Sequence, residues 1–138
     1  HCPYVIEIVK KIVFESKELK KLNVNLISIM SNDVVSYPED SYENMKKFSN
    51  KYAFNFHYLY DSTQEVAKKY QAECTPDFFG FNKDLKLHYR GRIHSIDSND
   101  NKKIIKRDLF DAMKLITKTN EGPIDQYNSF GCSIKWKK

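Results

Sequence analysis

Residues 72–81 read Ala-Glu-Cys-Thr-Pro-Asp-Phe-Phe-Gly-Phe, and the proline decides their meaning. It has no N–H to give to a ladder, so it belongs at the start of a strand and not inside one. The apolar run Phe78–Phe81 reads as that strand, and Asn82-Lys83-Asp84 as the polar turn that ends it. An X-Pro bond at such a turn is of the kind that folded chains lock in cis. Thr75-Pro76 is therefore expected to be cis.

Downstream, residues 86–93 return as the second arm of an antiparallel hairpin. Residues 95–102 are polar and read as a loop. Ile105, Leu109, Ala112, Met113 and Ile116 recur at helical spacing and mark a last helix. The tail, 119–138, contains Gly122, Pro123 and Gly131 and reads as irregular, with Gly131 giving freedom for a turn and Trp136 as its apolar anchor.

Upstream, residues 61–70 read as a helix capped by Asp61 or Ser62, with Val66, Ala67 and Tyr70 inward. Residues 54–60 alternate aromatic and polar and read as a strand. Residues 42–52 form a helix with Met45, Phe48 and Tyr52 on one side. Glu39 and Asp40 before it read as helix-start charges. Residues 24–30 are an apolar strand without clean alternation, as expected where both faces are covered. The first helix spans 3–22. Val5, Ile8, Val9, Ile12, Val13, Leu19 and Leu22 share one face, and Lys10, Lys11, Lys17 and Lys21 take the other. Pro3 suits the first helical turn, which leaves Cys2 at or beside the N-cap. This order predicts an α/β fold of one domain over 1–138, with a mixed sheet of 24–30, 54–60, 78–82 and 86–92 and helices on both faces.

The composition fits a globular domain: 138 residues, 41% hydrophobic, 30% charged, net charge +5. No apolar run reaches membrane-spanning length, so no membrane partner is expected. Lysine pairs, Lys102-Lys103 among them, are spread along the chain with acids between them. They read as solvated helix faces, not as a nucleic-acid stripe. Three cysteines, at 2, 74 and 132, make no Cys-x-x-Cys pair and no zinc spacing, so neither a metal nor a cofactor is expected. An odd, widely spaced set argues for reactive or buried thiols over a disulfide scaffold. The chain starts without Met or a signal peptide and is expected to be a fragment or processed form.

Cys2 has a physical case for reactivity. A helix N-terminus favours a negative charge by about 0.3–1 kcal/mol, and by about 2 when partly buried. At about 1.36 kcal/mol per pKa unit, the thiol falls from ~8.5 to ~7 at most, which gives about half thiolate at neutral pH.

Several stretches together resemble one family, the thioredoxin-fold redoxins of the alkyl hydroperoxide reductase/thiol-specific antioxidant superfamily. They are His1-Cys2-Pro3-Tyr4-Val5, Ser31-Asn32-Asp33, Tyr37-Pro38-Glu39-Asp40-Ser41, Tyr58-Leu59-Tyr60-Asp61, Cys74-Thr75-Pro76-Asp77-Phe78-Phe79, Tyr89-Arg90-Gly91-Arg92 and Gly131-Cys132-Ser133-Ile134-Lys135-Trp136-Lys137. The resemblance implies a thioredoxin-like fold, a mixed central sheet with helices on both faces. In that family a strand and a further cysteine commonly precede the His-Cys-Pro run, so Cys2 carries over as the second cysteine of a redox motif. The sheet is expected to be short of its central, N-terminal strand.

The function this implies is that of a thiol–disulfide oxidoreductase or antioxidant redoxin serving cell redox homeostasis. Cys2 is the reactive thiol, and the Thr75-Pro76 backbone aligns the substrate. The alternatives are a peroxiredoxin-like thiol peroxidase and a redox-inactive module on the same fold. Peroxiredoxins are similar in fold but use an arginine beside the later strand, and no arginine lies between Tyr70 and Asn82. Arg90 and Arg92 read as surface or structural. The sequence therefore leans to disulfide chemistry. Expected partners are protein or small-molecule thiols and disulfides, or peroxide, with a homodimer as a compatible assembly and the cytoplasm as the expected compartment. Cys74 and Cys132 are the candidate resolving or secondary thiols. For Cys132 the competing reading, an inert cysteine that packs the tail down, is preferred.

Overall fold

The computed structural model describes residues 1–100 and 103–138. Among the described residues four α-helices and eight short strands follow one another: α1 Pro3–Lys20, β1 Ile27–Met30, α2 Tyr42–Lys51, β2 His57–Tyr60, α3 Glu65–Lys69, β3 Cys74–Thr75, β4 Phe78–Phe81, β5 Leu87–Gly91, β6 Ser95–Ile96, β7 Ile104–Lys106, α4 Asp108–Thr119 and β8 Cys132–Ser133, with a 3₁₀ turn at Pro38–Asp40 before α2.

The apolar stripe of α1 is where its spacing puts it: Val9, Ile12, Val13 and Leu19 are buried. Pro3 opens the helix and Cys2 is its N-cap residue. The core joins α1 to β5 and α4 through Ile12, Leu19, Tyr89, Ile93, Leu109, Ala112, Met113 and Ile116. One carboxylate sits in this helix's buried face. Glu15 is 1% exposed and is held by Lys11 at 2.5 Å and by the Arg107 guanidinium at 2.6 Å. Desolvation raises its pKa, but the hydrogen bonds from Arg107 and Lys11 outweigh that and hold the carboxyl below its ordinary range.

The single mixed sheet expected from the sequence is replaced by separate pairs. β1 and β2 are parallel, β4 and β5 antiparallel, and no ladder joins the two pairs among the described residues. Between them lies a groove of about 1180 Å³, lined by 24–32 on one wall and 76–82 on the other. α1 contributes Val5, Val9 and Ile12 to it, and His1 and Cys2 line it as well.

Three further expectations change. The loop expected over 95–102 is in part a hairpin: β6 pairs with β7, while Asn101 and Lys102 lie outside the described residues. The last helix starts at Asp108, because Ile105 belongs to β7 and is 65% exposed. α3 is capped neither by Asp61 nor by Ser62 but starts after Gln64, whose φ is 63°. Asp61 instead accepts from the Ala67 amide at 3.0 Å, inside the helix.

The tail is not irregular throughout. β8 pairs antiparallel with β3, in register Cys74↔Ser133 and Thr75↔Cys132. Its anchor is not Trp136, which is 42% exposed, but Ile134, at 6%. Buried Gln64 completes the attachment. Its amide donates to the Lys135 carbonyl at 2.9 Å and accepts from the Lys137 N–H at 2.9 Å. Asn32 accepts from the Lys135 N–H at 2.9 Å.

Candidate active site

The site forms where the start of α1 meets the loop before β4. The Thr75-Pro76 peptide is cis, and the Cys2 thiol donates to the Thr75 carbonyl at 3.3 Å. Proline ends the two-residue β3 and starts the turn into β4, so the loop's carbonyl faces the helix mouth while Phe78–Phe81 continue as strand. Thr75 Oγ1 donates to the Cys132 carbonyl at 3.4 Å. The structure thus brings together Cys2, Thr75, Pro76 and Cys132.

The electrostatics of Cys2 follow from this packing. Burial pushes the thiol up. Hydrogen bonds from the Cys132 thiol, the Thr75 side chain and the N–H groups of Val5 and Cys132 more than offset it and bring the pKa from 9.0 to about 7. When protonated, the sulfur gives its hydrogen to Thr75; once ionised, it is the acceptor for the donors around it. The same contact works in the opposite sense on Cys132, whose pKa is raised first by its hydrogen bond with Cys2.

Cys74, next along β3, is different. Its thiol donates to the Pro76 carbonyl at 3.6 Å. It lines a second, small polar pocket with Glu73, Asp77, Arg90 and Ser129. Burial, then the negative charges of Asp77 and Glu73, push it up to about 11. All three cysteines are free thiols.

His1 is fixed by residues that sequence reasoning assigned elsewhere. Its Nδ1 meets Asp40 Oδ2 at 2.5 Å, and Asn32 donates to the same oxygen at 2.8 Å. The ring stacks on Tyr37 with centroids 5.2 Å apart. Asp40 is 6% exposed, so it is a buried partner of His1 and not a helix-start charge in solvent. The Asn32-Asp33 and Pro38-Glu39-Asp40 stretches carried this signal only as polar residues in a loop.

The three arginines of the sequence are each committed to a partner. Arg90 bonds the Gln71 carbonyl at 2.6 Å and Asp77 at 3.3 Å. Arg92 meets Asp108 at 3.1 Å and Arg107 meets Glu15. Among the described residues no group of three or more His, Cys, Asp or Glu is arranged to hold a metal ion. No described helix is long and apolar enough to cross a membrane.

Two solved structures share this arrangement of chain. An uncharacterized conserved protein from Geobacillus kaustophilus is 42% identical, with a TM-score of 0.92, over 99% of this chain and 72% of that one. A hypothetical protein from Sinorhizobium meliloti 1021 is 31% identical, with a TM-score of 0.91, over 99% of this chain and 75% of that one. No curated protein matches. The AhpC/TSA family matches residues 1–90, the part that holds Cys2, the cis-proline loop and the β4–β5 hairpin, and the chain belongs to that family, with its thioredoxin-like fold.

Proposed function

We propose that the protein is a thiol–disulfide oxidoreductase in which Cys2 is the exchanging thiol and the Thr75-Pro76 backbone receives the substrate chain. The observation that carries this reading is the Cys2 sulfur at the mouth of α1, against the Thr75 carbonyl, with a pKa of about 7. At neutral pH about half of such a thiol is thiolate, the nucleophilic form. A pKa near ambient pH is also where an attacking thiol combines ionisation with intrinsic nucleophilicity best.

The peroxidase reading has the same thiolate but lacks support elsewhere. Reduction of a peroxide puts negative charge on a departing oxygen, which a positioned cation would stabilise. Every group that lowers Cys2 is an uncharged hydrogen-bond donor, and each arginine has a carboxylate partner.

The test is paired assays on wild type and Cys2→Ser: reduction of insulin disulfides with dithiothreitol as the electron source, and consumption of hydrogen peroxide. The expected result is insulin reduction that Cys2→Ser lowers at least 100-fold, with peroxide consumption near that of free thiol. Fast peroxide turnover with no insulin reduction would replace this reading by the peroxidase one. Activity in neither assay would favour the redox-inactive module.

A further inference from the structure

Cys132 reaches Cys2 from the far end of the chain. The β3–β8 ladder sets it opposite Thr75, the residue whose carbonyl accepts from Cys2. Each thiol acts on the other's ionisation, Cys132 lowering that of Cys2 and Cys2 raising that of Cys132. Both also face the first turn of α1, Cys2 through the Val5 N–H and Cys132 through the Tyr4 N–H. Gly131 makes the approach possible without any left-handed turn, since its φ is not positive. A Cβ there would run into the Thr75 carbonyl and the Pro76 nitrogen. Ile134, Gln64 and Asn32 then fasten the tail on the other side of Cys132. Cys132 is half-buried, not fully buried as the reading preferred from the sequence had it.

We propose that Cys132 is the resolving thiol of this chain, which displaces the substrate's sulfur from Cys2 and leaves an intrachain Cys2–Cys132 disulfide. This rests on Cys2 being the exchanging thiol. In the first step the Cys2 thiolate attacks a disulfide of the substrate. A Cys2–substrate S–S bond forms, the substrate S–S bond breaks, and one substrate thiolate leaves and takes a proton from solvent. In the second step Cys132 loses its proton and its sulfur attacks Cys2 Sγ. The Cys2–Cys132 bond forms, the Cys2–substrate bond breaks, and the second substrate thiolate leaves with a proton. Two electrons pass from the two cysteines to the substrate disulfide. An external dithiol returns them to the enzyme in the reverse pair of exchanges.

The geometry favours Cys132 over Cys74 for this step. Cys74 shares the acidic pocket with Glu73 and Asp77 and bonds the Pro76 carbonyl, whereas Cys132 is paired with Thr75, the residue whose carbonyl accepts from the sulfur to be attacked.

The experiment uses the whole chain in a Cys74→Ser background, reduced, freed of reductant and mixed with one equivalent of 5,5′-dithiobis(2-nitrobenzoate). With Cys132 present, two equivalents of thionitrobenzoate should be released and no adduct kept. Tandem mass spectrometry should then find the tryptic peptide 1–10 linked to 119–135. With Cys132→Ser, and again with Cys132→Ala, one equivalent should be released and the adduct should stay on Cys2. The same peptide pair should be the main linkage when Cys74 is restored. An adduct that persists on Cys2 while Cys132 is present overturns the proposal. So does a Cys2–Cys74 or chain-to-chain disulfide as the main product. Failure of the reagent to label Cys2 in the Cys132 variants is a separate outcome, which overturns the assignment of Cys2 itself and the proposal with it.

Discussion

Cys2 and Cys74 border the same loop, yet one thiol lies at about 7 and the other at about 11. Burial is the largest upward influence on both. What separates them is the company each keeps. Cys2 faces donors: the start of α1, the Cys132 thiol and Thr75. Cys74 faces the carboxylates of Asp77 and Glu73, with Arg90 only partly offsetting them. Reactivity here depends on which side of a two-residue strand a sulfur is on.

The largest expected effect is on alkylation. At pH 7 about half of Cys2 is thiolate against roughly one part in 10⁴ of Cys74, while the more basic thiolate is intrinsically about 60-fold the better nucleophile. Iodoacetamide should therefore modify Cys2 roughly 100-fold faster, as read by peptide mass spectrometry at short times. The Cys2 rate should rise with pH to a plateau with its midpoint at about 7. That of Cys74 should still be rising above pH 10. Equal rates at pH 7 would erase the contrast.

Next is a test that the contrast is local. Glu15→Gln, at the buried middle of α1, should cost about 2 kcal/mol in urea unfolding. That is less than a fully buried pair loses, because Arg107 is a third exposed. The Cys2 midpoint should stay at about 7. The sign follows from the lowered Glu15 pKa. Its stabilisation is present above the ordinary carboxylate value of about 4.3 and is lost as pH falls through the lower folded value. The difference between wild type and variant should shrink as pH falls below about 4.3.

A smaller change should come from Gly131→Ala, whose Cβ drives the tail off Thr75. Losing the Cys132 donor removes one hydrogen bond to a charged sulfur, about 1.5 kcal/mol. The Cys2 midpoint should then rise by roughly one unit. An unchanged titration would mean that the tail does not tune Cys2. Smallest of all, Asp77→Asn should lower Cys74 from about 11 by less than about one unit and leave Cys2 alone, because burial is the larger cause.

Much of this was legible in the sequence. The helical period of α1 and α4 marked the buried faces, and proline before an apolar run placed β4. Cys2, Thr75 and Pro76 were marked as one site by the resemblance to the thioredoxin-fold redoxins. What escaped is held by contacts between distant residues with no period. Gln64 in a left-handed conformation gripping the tail, Asp40 turned onto His1, and Gly131 against Thr75 have no local pattern. A sheet short of a central strand was expected from the resemblance alone, because the division is a matter of strand pairing and not of strand propensity. β1 and β4 read as core strands whether or not anything lies between them.

The meeting of residues 2 and 132 has a topological consequence. Joined there, residues 2–132 become one covalent ring. In the chain-entropy view, closing so long a loop in the unfolded chain costs roughly 5 kcal/mol, and the folded chain has already brought the ends together. Thermodynamic linkage makes that quantity mutual: whatever the bond adds to the fold, the fold adds to the bond. At about 30 mV for each 1.4 kcal/mol, folding would make this disulfide roughly 100 mV harder to reduce than the same pair in an unfolded chain.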